Sequence, residues 1–541
     1  MNITSNATPI EMTGGAALIR ALEQHGVDTV FGIPGTHNLA AYAALADSPI
    51  RSVLTRHEQG AGYAADGYAR VTGRPGVVLT TTGPAILNAV AAAAQAWSDS
   101  VPVLFISPGM PLTHPGRGNG YLHEVKDQHA ALDAVVAYSH RVTSVQEIPS
   151  AVAYAFSAMQ TGRPRPVHIE IPIDLFEQSG PVRMLAPVMR PVASADTAAV
   201  ATATDLLRSA RRPTVIVGGG ARGAAPEVLR IAERLAAPVL STANGKGVFD
   251  EEHPLSVGAG LHHPSVAQLL ADSDVILAIG TELAPSDLWN GPLDLDDRLV
   301  RIDIDAMSVV TNADPRVRLV GAADTVLEQL LVDIGDHDAG APREDDRARA
   351  AREALAGDAR TEGAPWVDIV AALASVVDQD MVLAGDSTMV CYYGALSGLR
   401  VRRPGGFLYP TGVGTLGYGL PAAIGASLSG RTQRVLALIG DGGAMFTLPE
   451  LATAAALGLA LPIVIVDNGG YGEIRNEMDD RGDTVHSVRL GGIDFAAIAR
   501  AMGCHGITVQ RPEDLAAEIS TAWGADRPTV LHISEHSRAS Q

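Results

Sequence analysis

The chain has 541 residues, which is too many for a single hydrophobic core and predicts about three domains. Its formal net charge of −20 argues against a nucleic-acid-binding surface, and its sequence has no apolar stretch long enough for a membrane span. Two cysteines, Cys391 and Cys504, cannot form a disulfide framework or a metal site by themselves. The first residues lack the basic and apolar regions of a signal peptide, so we expect a cytoplasmic protein without nucleic-acid or membrane partners.

Residues 1–180 alternate helical and strand patterns and predict an α/β domain with a mostly parallel sheet. The predicted helices and strands of this domain lie at 14–25, 29–31, 51–55, 57–71, 76–81 and 101–107. Residues 109–129 are rich in Gly, Pro and His, which predicts a long loop over a site.

Two further α/β domains are predicted at 190–335 and 360–541, so the expected fold is α/β with three mostly parallel sheets flanked by helices. Residues 179–200 lack periodicity and predict a linker. The charged residues 334–362 predict a second linker or a surface helix.

The central domain opens with a strand followed by a glycine-rich turn, Gly218-Gly219-Gly220-Ala221-Arg222-Gly223, which fits G-x-G-x-x-G. The acidic residue that would confirm a dinucleotide site is missing after the next strand, where Ser241 and Thr242 stand. A structural turn is therefore favoured over nicotinamide binding. Asp303 and Asp305 could contact a ribose, but a strand-end turn explains them equally well.

The stretch 434–475 predicts one βαβ unit. Its first strand ends at Gly440-Asp441-Gly442-Gly443, one helix follows, and its second strand ends at Asp467-Asn468-Gly469-Gly470. Because the carboxyl ends of parallel strands meet at one edge of a sheet, Asp441 and Asn468 are expected to be neighbours. Their oxygens suit Mg²⁺, and small glycines let N–H groups approach a diphosphate at a helix N-terminus. The alternative is an ordinary joint in which glycine supplies backbone freedom.

Other turns carry candidate chemistry. Glu58 opens a predicted helix, where it either complements the helix dipole or, if buried, shares a proton with a heterocyclic nitrogen. Turns 82–85 and 412–419 are dense in small residues that permit a bulky ring to approach the backbone, and Ser387 and Thr388 follow a strand and suit an anion. A cluster of histidines in or near site-facing turns favours a functional role for at least one, although any single one is more often structural: His37, His114, His123 and His129.

Three segments together resemble the thiamine-diphosphate enzymes of the acetohydroxyacid synthase and 2-oxo acid decarboxylase group. They are RHEQGAGYAADGYAR, GVGTLGYGLPAAIGA, and GDGGAMF with VDNGGYG. The resemblance covers nearly the whole chain, in the order pyrimidine-binding, central and diphosphate-binding domain. It implies thiamine diphosphate and Mg²⁺ as cofactors, and a homodimer or homotetramer with active sites between subunits. FAD is compatible with such a central domain but is not expected.

The resemblance implies a role for each matching position. Glu58 would hydrogen-bond N1′ of the aminopyrimidine, Leu416 would support the bent cofactor, and the carbonyl of Gly414 would accept from N4′. The ligands of Mg²⁺ would be Asp441, Asn468 and the carbonyl of Gly470. The remaining cofactor contacts are expected at Pro34, Gly83, Ser387, Thr388, Gly442, Gly443, Ala444 and Tyr471.

Departures from the family pattern concern the substrate. His123 stands where the true acetolactate synthases have glutamine, and the tryptophan that follows their metal loop is absent from GEIRNEMDDRGD. The segments FGIPGTHN, LHEVKDQ and NGGYGEIR instead resemble the 5-guanidino-2-oxopentanoate (2-ketoarginine) decarboxylases. Glu473 would suit a guanidinium group, although a solvated acid at a helix start explains it equally well. Catalytic roles are expected for His123 and Glu473 besides Glu58, and substrate contacts also at Thr36 and His37.

We therefore expect thiamine-diphosphate-dependent, non-oxidative decarboxylation of a 2-oxo acid to an aldehyde and CO₂, with a cationic, guanidino-bearing acid as one candidate. The alternative is an acetolactate-synthase-like carboligase that joins two 2-oxo acids. A non-catalytic homologue is disfavoured because Glu58, Asp441 and Asn468 are intact. A nicotinamide dehydrogenase is a more distant alternative.

Overall fold

The computed structural model describes residues 8–188, 193–335, 346–432 and 434–537. The chain divides into two compact units, Met1–Pro191 and Val192–Gln541. The first unit holds one six-stranded sheet and the second holds two. Within the described ranges, no helix is both long enough and apolar enough to cross a membrane.

The first unit alternates strands and helices. Its strands are β1 (Ile10–Thr13), β2 (Thr29–Gly32), β3 (Arg51–Leu54), β4 (Gly76–Leu79), β5 (Val103–Gly109), β6 (Ser139–Arg141), β7 (Val167–Pro172) and β8 (Ser179–Val182). Its helices are α1 (Gly14–Gln24), α2 (Leu39–Ala46), α3 (Glu58–Thr72), α4 (Pro84–Asn88), α5 (Val90–Ser98), α6 (Gln128–Asp133), α7 (Ile148–Thr161) and α8 (Ile173–Glu177). The parallel sheet has the order β3-β2-β4-β5-β7-β6, and β1 pairs antiparallel with β8.

Burial explains why these segments form a parallel sheet. Every residue of β2, β4, β5 and β7 is buried, as expected for strands covered by helices on both faces. Helix α1 starts where the Thr13 hydroxyl accepts the N–H of Ala16, and α3 ends at Gly73, whose φ of +71° favours glycine. The segment between β5 and α6 contains neither helix nor strand, which confirms the predicted loop.

The second unit begins with the central sheet. Its elements are α9 (Thr197–Ser209), β9 (Pro213–Val217), α10 (Ala225–Leu235), β10 (Val239–Ser241), β11 (Ser256–Ala259), α11 (Pro264–Ala271), β12 (Val275–Ile279), β13 (Leu299–Asp303), β14 (Val317–Val320), α12 (Ala323–Ile334) and α13 (Asp346–Glu362). The parallel strand order is β11-β10-β9-β12-β13-β14. Helix α13 confirms the helical alternative for the charged stretch, and it buries Leu355 against the core beside β11.

The last sheet carries the stretch 434–475. Its elements are α14 (Val367–Ala374), β15 (Val382–Gly385), α15 (Leu396–Gly398), β16 (Phe407–Leu408), α16 (Gly419–Ser427), β17 (Val435–Gly440), α17 (Asp441–Thr447), α18 (Glu450–Ala456), β18 (Pro462–Asp467), α19 (Gly472–Asp480), α20 (Phe495–Ala501), β19 (His505–Val509), α21 (Pro512–Ala522) and β20 (Thr529–Ser534). The parallel order is β16-β15-β17-β18-β20-β19.

The predicted fold class, α/β with mostly parallel sheets, is confirmed. The single helix predicted after Gly443 is wrong, because α17 and α18 are separate elements. Pro449 lies between them, and proline cannot donate an N–H to a continuous helix. The prediction of a linker over 179–200 is wrong at both ends, because residues 179–182 pair with β1 as β8 and α9 begins at Thr197. Residues 189–192 and 336–345 lie outside the described residues, and the three domain boundaries stay predictions.

Candidate active site

Asp441 and Asn468 lie together at one edge of the last sheet, as predicted. Gly440 of β17 pairs with Val466 of β18, so the residues that follow the two strands are brought side by side. The N–H of Asn468 points at Oδ1 of Asp441 over 3.5 Å. Asp441 is only 3% exposed. Burial and the neighbouring Asp467 carboxylate raise the pKa of Asp441 to about 6.

The oxygens at this edge suit a hard cation. Oδ1 of Asn468 is buried and has no hydrogen-bond partner among the described residues. A Cβ placed on Gly442 would lie 3.5 Å from the carbonyl oxygen of Gly470, so that carbonyl is close to the start of α17. An unpartnered buried acceptor beside a buried carboxylate is the donor set that Mg²⁺ takes. The set therefore fits Mg²⁺, which Asp441, Asn468 and the Gly470 carbonyl would hold.

Asp386 is the residue that organises the neighbouring turns. Its buried carboxylate accepts N–H groups from Ser387 at 2.8 Å, Gly417 at 3.0 Å and Gly419 at 3.3 Å. Burial raises its pKa to about 6, although these backbone donors act in the opposite direction. One carboxylate thereby ties the turn after β15 to the turn at 412–419.

Close approaches at two glycines bring the diphosphate-binding candidates together. A Cβ on Gly440 would lie 2.6 Å from the Thr388 hydroxyl, and a Cβ on Gly443 would lie 3.0 Å from the Asp386 carboxylate. Either position would therefore resist a larger residue. The structure places the other candidates of this unit on the same turns or in the first turn of α17: Ser387, Gly414, Leu416, Tyr471, Gly442 and Ala444.

Glu473 is held by two tyrosines. Its Oε1 accepts the Tyr393 hydroxyl at 2.8 Å, and its Oε2 accepts the Tyr392 hydroxyl at 3.2 Å. Burial and the Glu473 carboxylate raise the pKa of both tyrosines, which keeps their hydroxyls protonated as donors. The ring of Trp289 meets both tyrosine rings edge-on, with centroids 6.1 Å and 5.7 Å away. Glu473 therefore places a carboxylate in an aromatic cluster formed by Trp289, Tyr392 and Tyr393.

A π-helix over Val390–Ala395 presents both tyrosines to Glu473. Its wider turn changes the direction of successive side chains from that of an α-helix, and such segments occur often at functional sites. The pair Tyr392-Tyr393 was not predicted as part of the site. The only sequence signal for this pair was that two adjacent tyrosines follow the strand-end turn Asp386-Ser387-Thr388 by a few positions.

Glu58 lies at the first position of α3, in the first unit. His57 caps the helix by accepting the N–H of Gln59 at 3.1 Å, and Oε2 of Glu58 accepts Nδ2 of Asn88 at 2.9 Å. The Glu58 side chain is half-buried in the single chain. It is thus an oriented carboxylate with room for further hydrogen bonds.

His37 and His123 adjoin in the first unit, with ring centroids 5.1 Å apart. His37 contacts the Thr82 hydroxyl at 3.1 Å, and burial together with His123 lowers its pKa. Nδ1 of His123 is buried and has no partner within the described ranges. Pro34 and Thr36 are exposed in the turn that precedes His37.

Gly83 is fixed by a residue that sequence reasoning missed. Oε1 of Gln128 accepts the Gly83 N–H at 2.7 Å, while Nε2 of Gln128 donates to the Pro108 carbonyl at 2.9 Å and to Oε2 of Glu170 at 2.9 Å. With a φ of +65°, Gly83 packs against the backbone of His123, and a Cβ there would collide with it. The loop at 109–129 is therefore anchored beside the 82–85 turn.

The glycines at the start of the central sheet pack against another loop. The N–H of Gly218 donates to the Ile279 carbonyl and that of Gly220 to the Gly280 carbonyl, each over 2.9 Å. A Cβ on Gly220 would lie 2.9 Å from the Cα of Gly280. Since both amides are engaged within the fold, this geometry favours the structural interpretation of the turn.

Comparison with known proteins adds the family. Three domain models of the thiamine pyrophosphate enzymes match: the N-terminal TPP binding domain at 12–131, the central domain at 200–330 and the C-terminal TPP binding domain at 384–533. A probable 2-ketoarginine decarboxylase, AruI, of Pseudomonas aeruginosa is 40% identical over 537 residues, which cover 96% of this chain and 94% of the relative.

Acetolactate synthases are also similar to the chain. That of Mycobacterium bovis is 33% identical over 96% of this chain and 88% of its own length. A probable acetolactate synthase large subunit of Methanocaldococcus jannaschii is 31% identical over 96% and 92% of the two chains. The chain therefore belongs to the thiamine-diphosphate enzymes of the acetohydroxyacid synthase and 2-oxo acid decarboxylase group.

Proposed function

We propose that the chain is a non-oxidative decarboxylase of a 2-oxo acid whose side chain ends in a guanidino group. One observation carries the substrate assignment: the Glu473 carboxylate is held by two tyrosine hydroxyls within an aromatic cluster. The similarity to a 2-ketoarginine decarboxylase supports the same substrate class.

The Glu473 carboxylate retains capacity for a cation. An ionised carboxylate has about four lone-pair sites, and the two tyrosines use two of them. Within the described parts of the chain, Glu473 forms no ion pair with a lysine, arginine or histidine. Arg475, on the same helix, donates to the Asn468 carbonyl at 3.2 Å instead. The remaining sites suit the two parallel N–H groups of a guanidinium.

The surrounding rings favour a planar cation over a neutral tail. Trp289 is 40% exposed and lies edge-on to the half-buried Tyr392 and Tyr393. A guanidinium can bind over aromatic faces while it keeps its in-plane hydrogen bonds. A neutral substrate would leave the carboxylate without a counter-charge in a partly desolvated position.

The cofactor assignments rest on the family motifs and, for Mg²⁺, also on the oxygen donors at Asp441, Asn468 and Gly470. Thiamine diphosphate, when bound, supplies the electron sink for decarboxylation. Asp441, Asn468 and the Gly470 carbonyl would hold Mg²⁺, and Glu58 would hydrogen-bond N1′ of the aminopyrimidine. The diphosphate contacts are Ser387, Thr388, Gly442, Gly443 and Ala444. The remaining cofactor contacts are Pro34, Gly83, Gly414, Leu416 and Tyr471.

Proton transfer to the reacting carbon is assigned to the first unit. His123 has a buried nitrogen without a partner among the described residues, and His37 lies beside it with its pKa lowered by burial and by His123. Imidazoles carry both a donor and an acceptor nitrogen, which suits a proton relay. Thr36, in the turn before His37, is assigned to the substrate carboxylate.

We further propose a homodimer or homotetramer with active sites between subunits. Three large apolar side chains at or near the 412–419 turn and α17 are exposed: Val413 at 50%, Met445 at 42% and Phe446 at 50%. Burial of such side chains by a second subunit would be favourable. The expected cytoplasmic location stays a prediction.

A substrate screen tests the function. The enzyme would be incubated with thiamine diphosphate, Mg²⁺ and one 2-oxo acid: 5-guanidino-2-oxopentanoate, 2-oxohexanoate or pyruvate. We expect CO₂ and an aldehyde from the guanidino acid, with a kcat/KM at least tenfold above that for 2-oxohexanoate. An acetohydroxy acid from pyruvate as the dominant product would instead establish the carboligase, which the acetolactate synthase relatives support.

A further inference from the structure

A cluster of two histidines and one glutamate lies beside the central sheet, and it is distant in sequence from the Asp441 edge. His262 and His263 precede α11, and Glu362 is the last residue of α13. Nε2 of His262 is 3.1 Å from Oε2 of Glu362, and Nε2 of His263 is 3.7 Å from the same oxygen. The three ligand atoms all lie within 4.8 Å of one another.

We propose that His262, His263 and Glu362 form a binding site for a divalent transition metal ion of the Zn²⁺ class. Zn²⁺ binds imidazole nitrogens and carboxylate oxygens at about 2.0–2.2 Å, so tetrahedral ligand atoms lie roughly 3.4 Å apart. The two measured separations to Glu362 bracket that spacing. Two imidazoles and one carboxylate are also the donors that discriminate against Mg²⁺, which prefers oxygen alone.

The cluster is built into the fold. His262 is 5% exposed and His263 is 3% exposed, so both rings are positioned by packing. Gly260 makes the turn possible, with a φ of +124°, and a Cβ there would lie 2.6 Å from both the His263 ring and the Ser397 hydroxyl.

Neighbouring groups complete the surroundings that a cation requires. Asp358, one turn before Glu362 on α13, accepts the N–H of Ser265 at 3.0 Å and interacts electrostatically with His263. Its charge adds to that of Glu362 and offsets a divalent ion. The Ser397 hydroxyl forms a hydrogen bond with Nε2 of His263 at 3.0 Å, and once a metal occupied that nitrogen the hydroxyl would be released to bond a metal-bound water.

The metal-site cluster contacts the aromatic cluster around Glu473, which lies at the proposed substrate site. The His262 ring stacks on Trp289 with centroids 3.9 Å apart and an interplanar angle of 20°. A metal ion on His262 would restrict that ring and thereby Trp289, which faces Tyr392 and Tyr393. The metal site does not depend on the proposed function; only the effect of the metal on substrate binding rests on that function.

Metal titration of the full-length holoenzyme tests the site. The enzyme would be treated with a chelator and then saturated with thiamine diphosphate and Mg²⁺, so that the Asp441 site is filled. Zn²⁺ would be titrated by calorimetry and Co²⁺ by visible absorption. We expect one tight Zn²⁺ per chain, and a Co²⁺ band typical of nitrogen and oxygen ligands. Absence of saturable binding by the native enzyme would overturn the proposal.

Variants locate the bound ion. Glu362→Gln removes the shared carboxylate with little change of shape, and we expect Zn²⁺ affinity to fall at least 100-fold. The matched control is Glu233→Gln, because Glu233 pairs with His253 at 3.4 Å outside the cluster. Unchanged affinity in Glu362→Gln, or an equal loss in Glu233→Gln, would contradict the site.

Tryptophan fluorescence gives a readout that does not depend on the Glu362 variant folding. Because His262 stacks on Trp289, Co²⁺ bound at His262 should quench the emission of that indole. We expect quenching in the native enzyme to follow the same binding curve as the absorption band, and most of it to be lost in Trp289→Phe. Full quenching in Trp289→Phe would place the ion elsewhere and reject the assignment.

Discussion

The buried carboxylate of Asp386 accepts the N–H of Gly417, with both of its oxygens 3.0 Å from that nitrogen. It holds the 412–419 turn, which carries Gly414 and Leu416, against the strand end that carries Ser387 and Thr388. Two parts of the proposed cofactor site are therefore positioned by a residue that itself has no assigned cofactor contact.

Asp386→Asn should destabilise this arrangement. An amide can replace only one of the two acceptor oxygens, and its NH₂ would face the N–H of Gly417 or Gly419, at a cost of about 1–3 kcal/mol in the free energy of unfolding. Urea unfolding would measure this change. Thiamine-diphosphate affinity should fall with it, whereas Asp333→Asn, an exposed change in the same unit, should alter neither.

The pH dependence of stability should also reflect Asp386. Its folded-state pKa is about 6 and its ordinary value is 3.8, so the folded state binds more protons than the unfolded state between these values. Its contribution to stability is therefore largest below pH 3.8 and is lost as the pH rises through about 6. Subtracting the unfolding curves of Asp386→Asn from those of the native enzyme isolates this slope, and a slope of opposite sign would refute the assignment.

Glu473→Gln should change substrate preference more than turnover. A charge-assisted pair contributes about 1.5–3 kcal/mol, so KM for 5-guanidino-2-oxopentanoate should rise about 10- to 100-fold. KM for 2-oxohexanoate should stay within about threefold, because that tail needs no counter-charge. Steady-state kinetics with both acids would measure the split. Glu477→Gln, one turn along α19, is the control, and an equal loss with both substrates would assign Glu473 to catalysis.

Tyr392→Phe and Tyr393→Phe each remove one hydrogen bond to Glu473. We expect KM for the guanidino acid to rise about 3- to 10-fold, with the larger effect at Tyr393, whose bond is shorter at 2.8 Å against 3.2 Å. In a Glu473→Gln background the same changes should have little further effect, because the residues act as one unit. Additive effects in this double-mutant cycle would show that the tyrosines act independently of Glu473.

Glu58→Gln should abolish most of the activity while the fold is kept. The side chain is half-buried at a helix start and, among the described residues, accepts one hydrogen bond, from Asn88, so an amide of equal shape fits there. Loss of the Glu58 carboxyl, which is proposed to exchange a proton with N1′ of the cofactor, should lower kcat at least 100-fold. Kinetics and thermal unfolding would be compared with Glu177→Gln, an exposed change in the same unit. Retained activity would remove Glu58 from the mechanism.

Chelation of Mg²⁺ should abolish activity, and Mg²⁺ should restore it. Asn468→Leu removes the unpartnered Oδ1 and should weaken Mg²⁺ and thiamine diphosphate together, since the ion joins the protein to the diphosphate. Calorimetric titration with each component would measure this coupling. Asn476→Leu, an exposed change on α19 of the same unit, is the control, and normal Mg²⁺ affinity in Asn468→Leu would contradict the ligand set.

The sequence alone determined the parallel α/β class and the proximity of Asp441 and Asn468, although it predicted one helix where α17 and α18 form two. Long apolar runs with glycine-rich ends gave β17 and β18, and Asp441 and Asn468 follow them directly. Their proximity could be predicted because adjacent parallel strands align their carboxyl ends. The family motifs assigned the cofactor because each is a contiguous segment that includes a helix start, with residue types that match the proposed chemistry.

Only the tertiary structure decided what surrounds Glu473. Tyr393 is 80 positions away from it in the chain, and Trp289 belongs to a loop of the central sheet. The cluster of His262 and Glu362, 100 positions apart, is equally invisible in the sequence. No periodicity or turn chemistry joins such residues, because packing between separate sheets brings their side chains together. That packing depends on the shapes of whole elements, which no local stretch of sequence encodes.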